Sequence, residues 1–77
     1  MAPVPIPKLS FLNTCEYIGV FSGERRWRSD DGKRIYTWDN LHGEIEVFNK
    51  RGKHLGVIEP IHGTMIKDAV KGRTIDV

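Results

Sequence analysis

The sequence predicts an all-β fold, a single highly twisted antiparallel sheet of five or six strands preceded by a short N-terminal helix. Turn signals recur at intervals of about eight to twelve residues, the spacing typical of antiparallel β-proteins. No long helical period of apolar residues interrupts them. The chain has 77 residues, 39% of them hydrophobic, which suits one small domain with one core.

The central element is a predicted β-hairpin over residues 36–48, with a polar loop at residues 40–43. Because side chains alternate along a strand, the two faces of this hairpin differ in chemistry. One face carries apolar side chains: Tyr36, Trp38, Ile45 and Val47. The other carries polar and acidic ones: Thr37, Asp39, Glu44 and Glu46. His42 is expected at the rim of this second face.

The remaining elements are predicted in chain order. Residues 1–8, with three prolines, are expected to form an extended linker or a cut point in a longer chain. Residues 8–17 predict a short helix that starts near Ser10 or Asn13. The predicted strands are residues 17–21 (broken by Gly19), 24–28, 33–39, 44–48, 54–59 and 73–77, with a brief pairing at 64–66.

Composition divides this one domain into a Pro-rich lead with the helix and first strand, residues 1–24, and a main part, residues 25–77. The formal net charge of +2 is made of −1 in the lead and +3 in the main part. A modest positive balance around acidic groups suits an anionic partner. No apolar run is long enough to span a membrane, and the start does not resemble a secretory signal. Cys15, the sole cysteine, excludes an intrachain disulfide.

Three carboxylates on one sheet face repel one another, so folding alone gives no reason to collect them. Proton transfer does give a reason, because carboxylates crowded near a histidine are suited to general acid/base work. The alternative is a set of solvated acids on an outer face. A metal site built from Asp39, His42 and Glu44 matches no strong signature, so a reaction without metal or cofactor is favoured.

Substrate binding is assigned to basic and aromatic residues that suit contacts with nucleic acid. The set is Arg26, Trp27, Arg28, Tyr36 and Lys53. For Trp27 the alternative is a core tryptophan flanked by solvated arginines. His54 and His62, each beside a turn, are expected to have surface or hydrogen-bonding roles.

Taken together, these residues resemble the C-terminal ribonuclease domain of the ribosome-inactivating colicin and cloacin family over residues 25–77. The matching positions are Arg26-Trp27, Asp31-Gly32-Lys33, Ile35-Tyr36, Trp38-Asp39, His42-Gly43-Glu44, Glu46, His54-Leu55-Gly56 and Pro60. The resemblance implies a toxin that is a metal-independent endoribonuclease and cleaves 16S rRNA once, at the decoding site of the 30S ribosomal subunit.

The resemblance also implies roles for individual residues. Glu46 would be the base toward the 2′-hydroxyl, and His42 the acid toward the leaving oxygen. Asp39 would orient His42, Glu44 would be the second glutamate of the catalytic set, and Arg73 would stabilise the phosphorane. The products would be a 2′,3′-cyclic phosphate and a 5′-hydroxyl.

Such a toxin is expected to form a heterodimer with an acidic immunity protein. The different lead segment favours a contact-dependent growth inhibition toxin as the carrier. The domain would then be secreted or presented at the cell surface within a larger delivery protein, and would act in the cytoplasm of the target bacterium. The alternative function is a non-catalytic RNA-binding β-module.

Overall fold

A computed structural model describes residues 2–77, which fold into one antiparallel sheet of six strands in sequential order. The strands are β1 (Glu16–Phe21), β2 (Glu24–Arg28), β3 (Arg34–Asp39), β4 (Glu44–Asn49), β5 (His54–Ile58) and β6 (Met65–Asp68). The predicted N-terminal helix is a four-residue 3-10 turn, Phe11–Thr14, with Ser10 as its N-cap. The predicted fold class is confirmed.

The central hairpin, β3 and β4, has the predicted register. Trp38 lies opposite Ile45, and Thr37 lies opposite Glu46. The loop between the strands is closed by a hydrogen bond of 2.8 Å from the Gly43 amide to the Asp39 carbonyl. Cross-strand partners point to the same face, so the sheet has a core face and an acidic face, the latter defined by Thr37, Asp39, Glu44 and Glu46.

The hydrophobic core lies against the core face and is closed by the N-terminal residues. Its buried members are Leu12, Trp27, Tyr36, Trp38, Ile45, Val47 and Ile58. Ile6 and Phe11 pack against this cluster from the lead. The hydroxyl of Ser10 accepts a hydrogen bond from the Leu12 amide and donates one to the Pro60 carbonyl, which fixes the turn to the far end of β5.

The expectation that residues 1–8 form a linker is wrong for Val4 and Ile6. The Val4 amide donates to the Asn40 carbonyl at 2.7 Å, and the Trp38 indole donates to the Val4 carbonyl at 2.9 Å. The neighbouring prolines favour an extended backbone that donates few hydrogen bonds. Residues 4–6 thus lie along the sheet, and the side chain of Ile6 packs on the core.

The prediction of a last strand over residues 73–77 is wrong. The last described strand is β6, and the C-terminal segment, residues 70–77, turns back across the acidic face after Gly72, which has a φ of 85°. It is held by a bridge between Lys53 and Thr74 and by a 2.9 Å hydrogen bond from Ile75 to the Gly52 carbonyl. Both faces of the sheet are therefore covered in part.

No helix among residues 2–77 is long and apolar enough to cross a membrane.

Candidate active site

The hairpin loop positions His42 through the carboxylate of Asp39. Oδ1 of Asp39 accepts hydrogen bonds from the amides of Leu41 at 2.9 Å and His42 at 3.2 Å. Gly43 then turns the chain with a φ of 69°, a left-handed conformation that glycine adopts without steric cost. The loop is therefore held by Asp39, the last residue of β3.

A second interaction joins the side chains of the same two residues. Oδ2 of Asp39 lies 2.8 Å from Nδ1 of His42, whose ring is 57% exposed. Burial by itself raises the pKa of Asp39, but hydrogen bonds from the His42 side chain and from the amides of His42 and Leu41 outweigh it, so that this pKa is lowered. An ionised Asp39 orients the ring and leaves Nε2 of His42 free to exchange a proton.

Glu46 is the buried carboxylate of the acidic face, with a side chain only 6% exposed. Its Oε1 atom lies 3.0 Å from Nε2 of His54 and 2.7 Å from the Arg73 guanidinium. Burying a carboxylate is costly unless it is paired, and here two donors share one oxygen. Both contacts are made by Oε1, and neither involves the other oxygen, Oε2.

His54 lies beneath Glu46, a location that the sequence analysis did not predict. Its Nδ1 accepts a 2.9 Å hydrogen bond from the Val70 amide, so the hydrogen between Nε2 and Glu46 belongs to His54 and the ring is neutral. The ring is fully buried and packs on Phe48, its cross-strand neighbour. Of the two roles expected for His54, the structure shows the hydrogen-bonding one.

Glu44 is paired with a residue that the sequence analysis did not single out. Nζ of Lys67, on β6, lies 2.8 Å from Oε1 of Glu44. This hydrogen bond raises the pKa of Lys67; desolvation opposes the increase, and the charges of Glu44, Glu46 and Asp39 add to it. The sequence offered no signal for this contact, because it depends on the pairing of β6 with β5.

Asp39, His42 and Glu44 have ligand atoms within 4.8 Å of one another, close enough to hold a metal ion. However, Asp39 is bonded to His42, and Glu44 is bonded to Lys67. One carboxylate of the cluster, Glu44, is therefore already paired with a cation, and the other, Asp39, is already engaged by hydrogen bonds. The arrangement is better suited to proton transfer than to binding a divalent cation, which prefers several uncompensated oxygen ligands.

The predicted substrate-binding residues do not form one surface. Trp27 and Tyr36 pack in the core at 8% and 4% exposure, so neither ring presents a face to a nucleobase. Arg26 is buried beneath the C-terminal segment and donates to the Asp76 carbonyl at 2.7 Å, which is a structural role. Arg28 and Lys53 are exposed, and Arg28 lies 3.8 Å from Glu16. Those two remain available for a phosphate.

Comparison with known proteins assigns the chain to a family. The model of the family described as Cytotoxic matches residues 17–76, which include β2 to β6 and all of β1 except Glu16. The chain belongs to the Cytotoxic family. The resemblance to the ribonuclease domains of colicins and cloacin is thereby confirmed.

Three relatives from Escherichia coli are similar over about two thirds of the chain. Colicin E3 is 40% identical over 52 residues, which are 66% of this chain. Colicin E6 is 43% identical and cloacin 39% identical, each over 51 residues and 65% of this chain. The matched region spans 9% of the length of each relative.

Proposed function

We propose that this domain is a metal-independent endoribonuclease that cleaves 16S rRNA at the decoding site of the 30S ribosomal subunit and so blocks translation. The observation that carries the proposal is the contact of Arg73 with Glu46 on the face that also bears the Asp39–His42 pair. RNA cleavage without a metal needs a base, an acid and a cation for the charged phosphorane. This face offers one residue of each type.

In the proposed reaction, Oε2 of Glu46 removes the proton from a ribose 2′-hydroxyl. The 2′-oxygen then forms a bond to the adjacent phosphorus, and the bond from phosphorus to the 5′-oxygen breaks. Nε2 of a protonated His42 gives its proton to that oxygen. The products are a 2′,3′-cyclic phosphate and a 5′-hydroxyl. At the end of the reaction Glu46 has gained a proton and His42 has lost one.

Three other side chains support these two. Asp39 holds the His42 ring and stabilises its protonated form, since its carboxylate is 2.8 Å from Nδ1. Arg73 stabilises the additional charge on the phosphorane. His54 is a positioning residue, because it fixes the orientation of Glu46 from the interior of the domain.

The proposed biological setting is a toxin whose domain is presented at the cell surface or secreted within a larger delivery protein, with a contact-dependent growth inhibition toxin as the carrier. It acts in the cytoplasm of the target bacterium. The producing cell is protected by an acidic immunity protein that forms a heterodimer with the domain. Size-exclusion chromatography of the domain with the product of the neighbouring gene should yield one complex; separate elution would contradict this partner.

The activity is tested by incubating 70S ribosomes with the purified domain in EDTA concentrations that leave the ribosomes intact. The expected result is one short fragment from the 3′ end of 16S RNA, with a hydroxyl group at its own 5′ end. Loss of cleavage on removal of trace metal from the domain would favour a hydrolase that uses Asp39, His42 and Glu44 as ligands. Ribosome binding without cleavage would favour the RNA-binding module, although the buried Trp27 and Tyr36 do not support stacking.

A further inference from the structure

A cation outside the proposed catalytic set, Lys67, lies on the same face of the sheet as Glu46. Lys67 lies on β6, opposite Val57, and Val57 lies opposite Glu46 on the other side of β5. Partners across antiparallel strands point to the same face, so Lys67 and Glu46 both lie on the acidic face, separated by two strand spacings. Each spacing is about 4.8 Å. The ammonium group therefore belongs to the rim of the proposed active site.

The exposure of the paired side chains follows one pattern. Glu46 and Glu44 are 6% and 14% exposed, whereas their cations, Arg73 and Lys67, are 47% and 54% exposed. In each pair the carboxylate lies beneath and the cation lies at the solvent. Each carboxylate thus orients its cation while the outer side of that cation remains open to an anion.

We propose that Lys67 is a phosphate-binding residue of this site, a second cation beside Arg73 that contacts the RNA backbone near the cleaved bond. The inference rests on the proposed ribonuclease function and adds a residue to it. A Lys ammonium has three donors. Glu44 Oε1 takes one, which leaves two for phosphate oxygens. In this proposal Glu44 orients Lys67, because Oε1 of Glu44 accepts a hydrogen bond from the Lys67 ammonium.

The positive charge of Lys67 also offsets the repulsion that an incoming phosphate meets on a face with three carboxylates. Lys67 is close enough for Glu44, Glu46 and Asp39 all to act on it electrostatically. When RNA binds, Lys67 attracts the phosphate as well as these carboxylates. Lys67 should therefore affect substrate binding more than the chemical step, which belongs to Glu46, His42 and Arg73.

The test measures cleavage of ribosomes by wild type, Lys67→Met, Lys67→Arg and the control Lys33→Met at several salt concentrations. Lys33 is also exposed but precedes β3, at the opposite end of that strand from Asp39. The methionine variant at position 67 should raise KM by about tenfold with kcat little changed, the expected cost of a charged hydrogen bond. Its slope of log(kcat/KM) against log[salt] should be shallower by roughly 0.7.

The matched variants decide between phosphate binding and a structural role. Lys67→Arg should have a KM close to that of the wild type, and Lys33→Met should keep the wild-type KM. If Lys67→Met and Lys33→Met have the same KM and salt slope, the inference is wrong although the proposed function stands. A fall in kcat alone, at unchanged KM, would also overturn it, because Lys67 would then only position Glu44. Urea unfolding of each variant identifies loss of fold. A wild-type domain that leaves 16S RNA intact would refute the ribonuclease proposal itself.

Discussion

The guanidinium of Arg73 lies 2.7 Å from the carboxylate of Glu46, on the oxygen that also receives the hydrogen bond from His54. Arg73 reaches this position because the C-terminal segment turns back over the acidic face instead of adding a strand to the sheet. A cation from one end of the chain and a carboxylate from the central hairpin are thereby brought together.

Replacing Arg73 with methionine should lower the rate of ribosome cleavage by about 10² to 10³, the usual effect of removing one group that stabilises transition-state charge. Arg73→Lys should recover part of that rate, because it keeps the charge but loses the planar set of donors. The measurement is single-turnover cleavage of 16S RNA. Arg51→Met, in the exposed turn after β4, is the control. Near wild-type cleavage by Arg73→Met would show that Arg73 does not act on the phosphorane.

His42→Ala should lower the cleavage rate by about 10² or more, because general acid catalysis is lost. His62→Ala is a close control, since His62 is also near a carboxylate in a turn, that of Glu59, but 81% of its side chain is exposed. The His62→Ala variant should cleave 16S RNA at the wild-type rate. Equal loss in both variants would argue against a special role for His42.

His54→Leu should destabilise the domain by about 1.5 to 3 kcal/mol, since a hydrogen bond to a charged group is lost and the Val70 amide loses its acceptor. The free energy of unfolding is measured with urea, where a lower midpoint at unchanged slope reports stability alone. His62→Leu should remain within about 0.5 kcal/mol of wild type, as is usual for a surface change. A His54→Leu variant as stable as the wild type would mean that the buried pair contributes nothing net.

Gly52→Ala and Gly32→Ala separate backbone strain from steric overlap. Both glycines have positive φ, 88° and 71°, so each substitution should cost about 1 to 2 kcal/mol from conformation alone. A Cβ at Gly32 meets no atom within 4 Å, whereas one at Gly52 overlaps the carbonyl oxygen of Ile75. Gly52→Ala should therefore lose more stability and also activity, because it displaces the segment that carries Arg73. Equal effects of the two changes on cleavage would contradict this.

Acid should weaken the Asp39–His42 interaction in a defined direction. Because the pKa of Asp39 is lowered on folding, its contribution to stability is present above its unfolded-state pKa, near 3.8, and is lost as pH falls through the folded-state value. Asp39→Asn removes this titration. The difference in unfolding free energy between wild type and Asp39→Asn should shrink below about pH 4. A difference that stays constant down to pH 2 would show that Asp39 titrates alike in both states.

The register of the hairpin and the face on which each of its side chains lies were predictable because two short-range rules act together there. Alternation assigns Trp38 to the core and Glu46 to the opposite face, and the loop length then sets which residues pair.

The same rules fail at His54. An irregularity in the pairing of β4 and β5 between Val47 and Phe48 leaves Leu55 facing the core and turns His54 toward Glu46. Simple alternation from Val57 would place His54 on the core face.

Long-range contacts were the least predictable part of the site. The position of Lys67 depends on β6, whose side chains are all exposed and whose sequence has no clear alternation. Arg73 was identified only by resemblance, since its segment forms no regular strand. For Arg26 the sequence shows the charge but not that Asp76 and the Phe21 ring, 4.5 Å from the guanidinium carbon, would enclose it.

Val4 contacts the loop that carries His42 at the Asn40 carbonyl and above Gly43, where a Cβ would meet the Val4 side chain at 2.9 Å. It also contacts the strand before that loop, through the Trp38 indole. A polypeptide joined ahead of Val4 is therefore anchored beside the proposed proton donor. A displacement of Val4 would therefore act directly on the loop that orients the imidazole of His42.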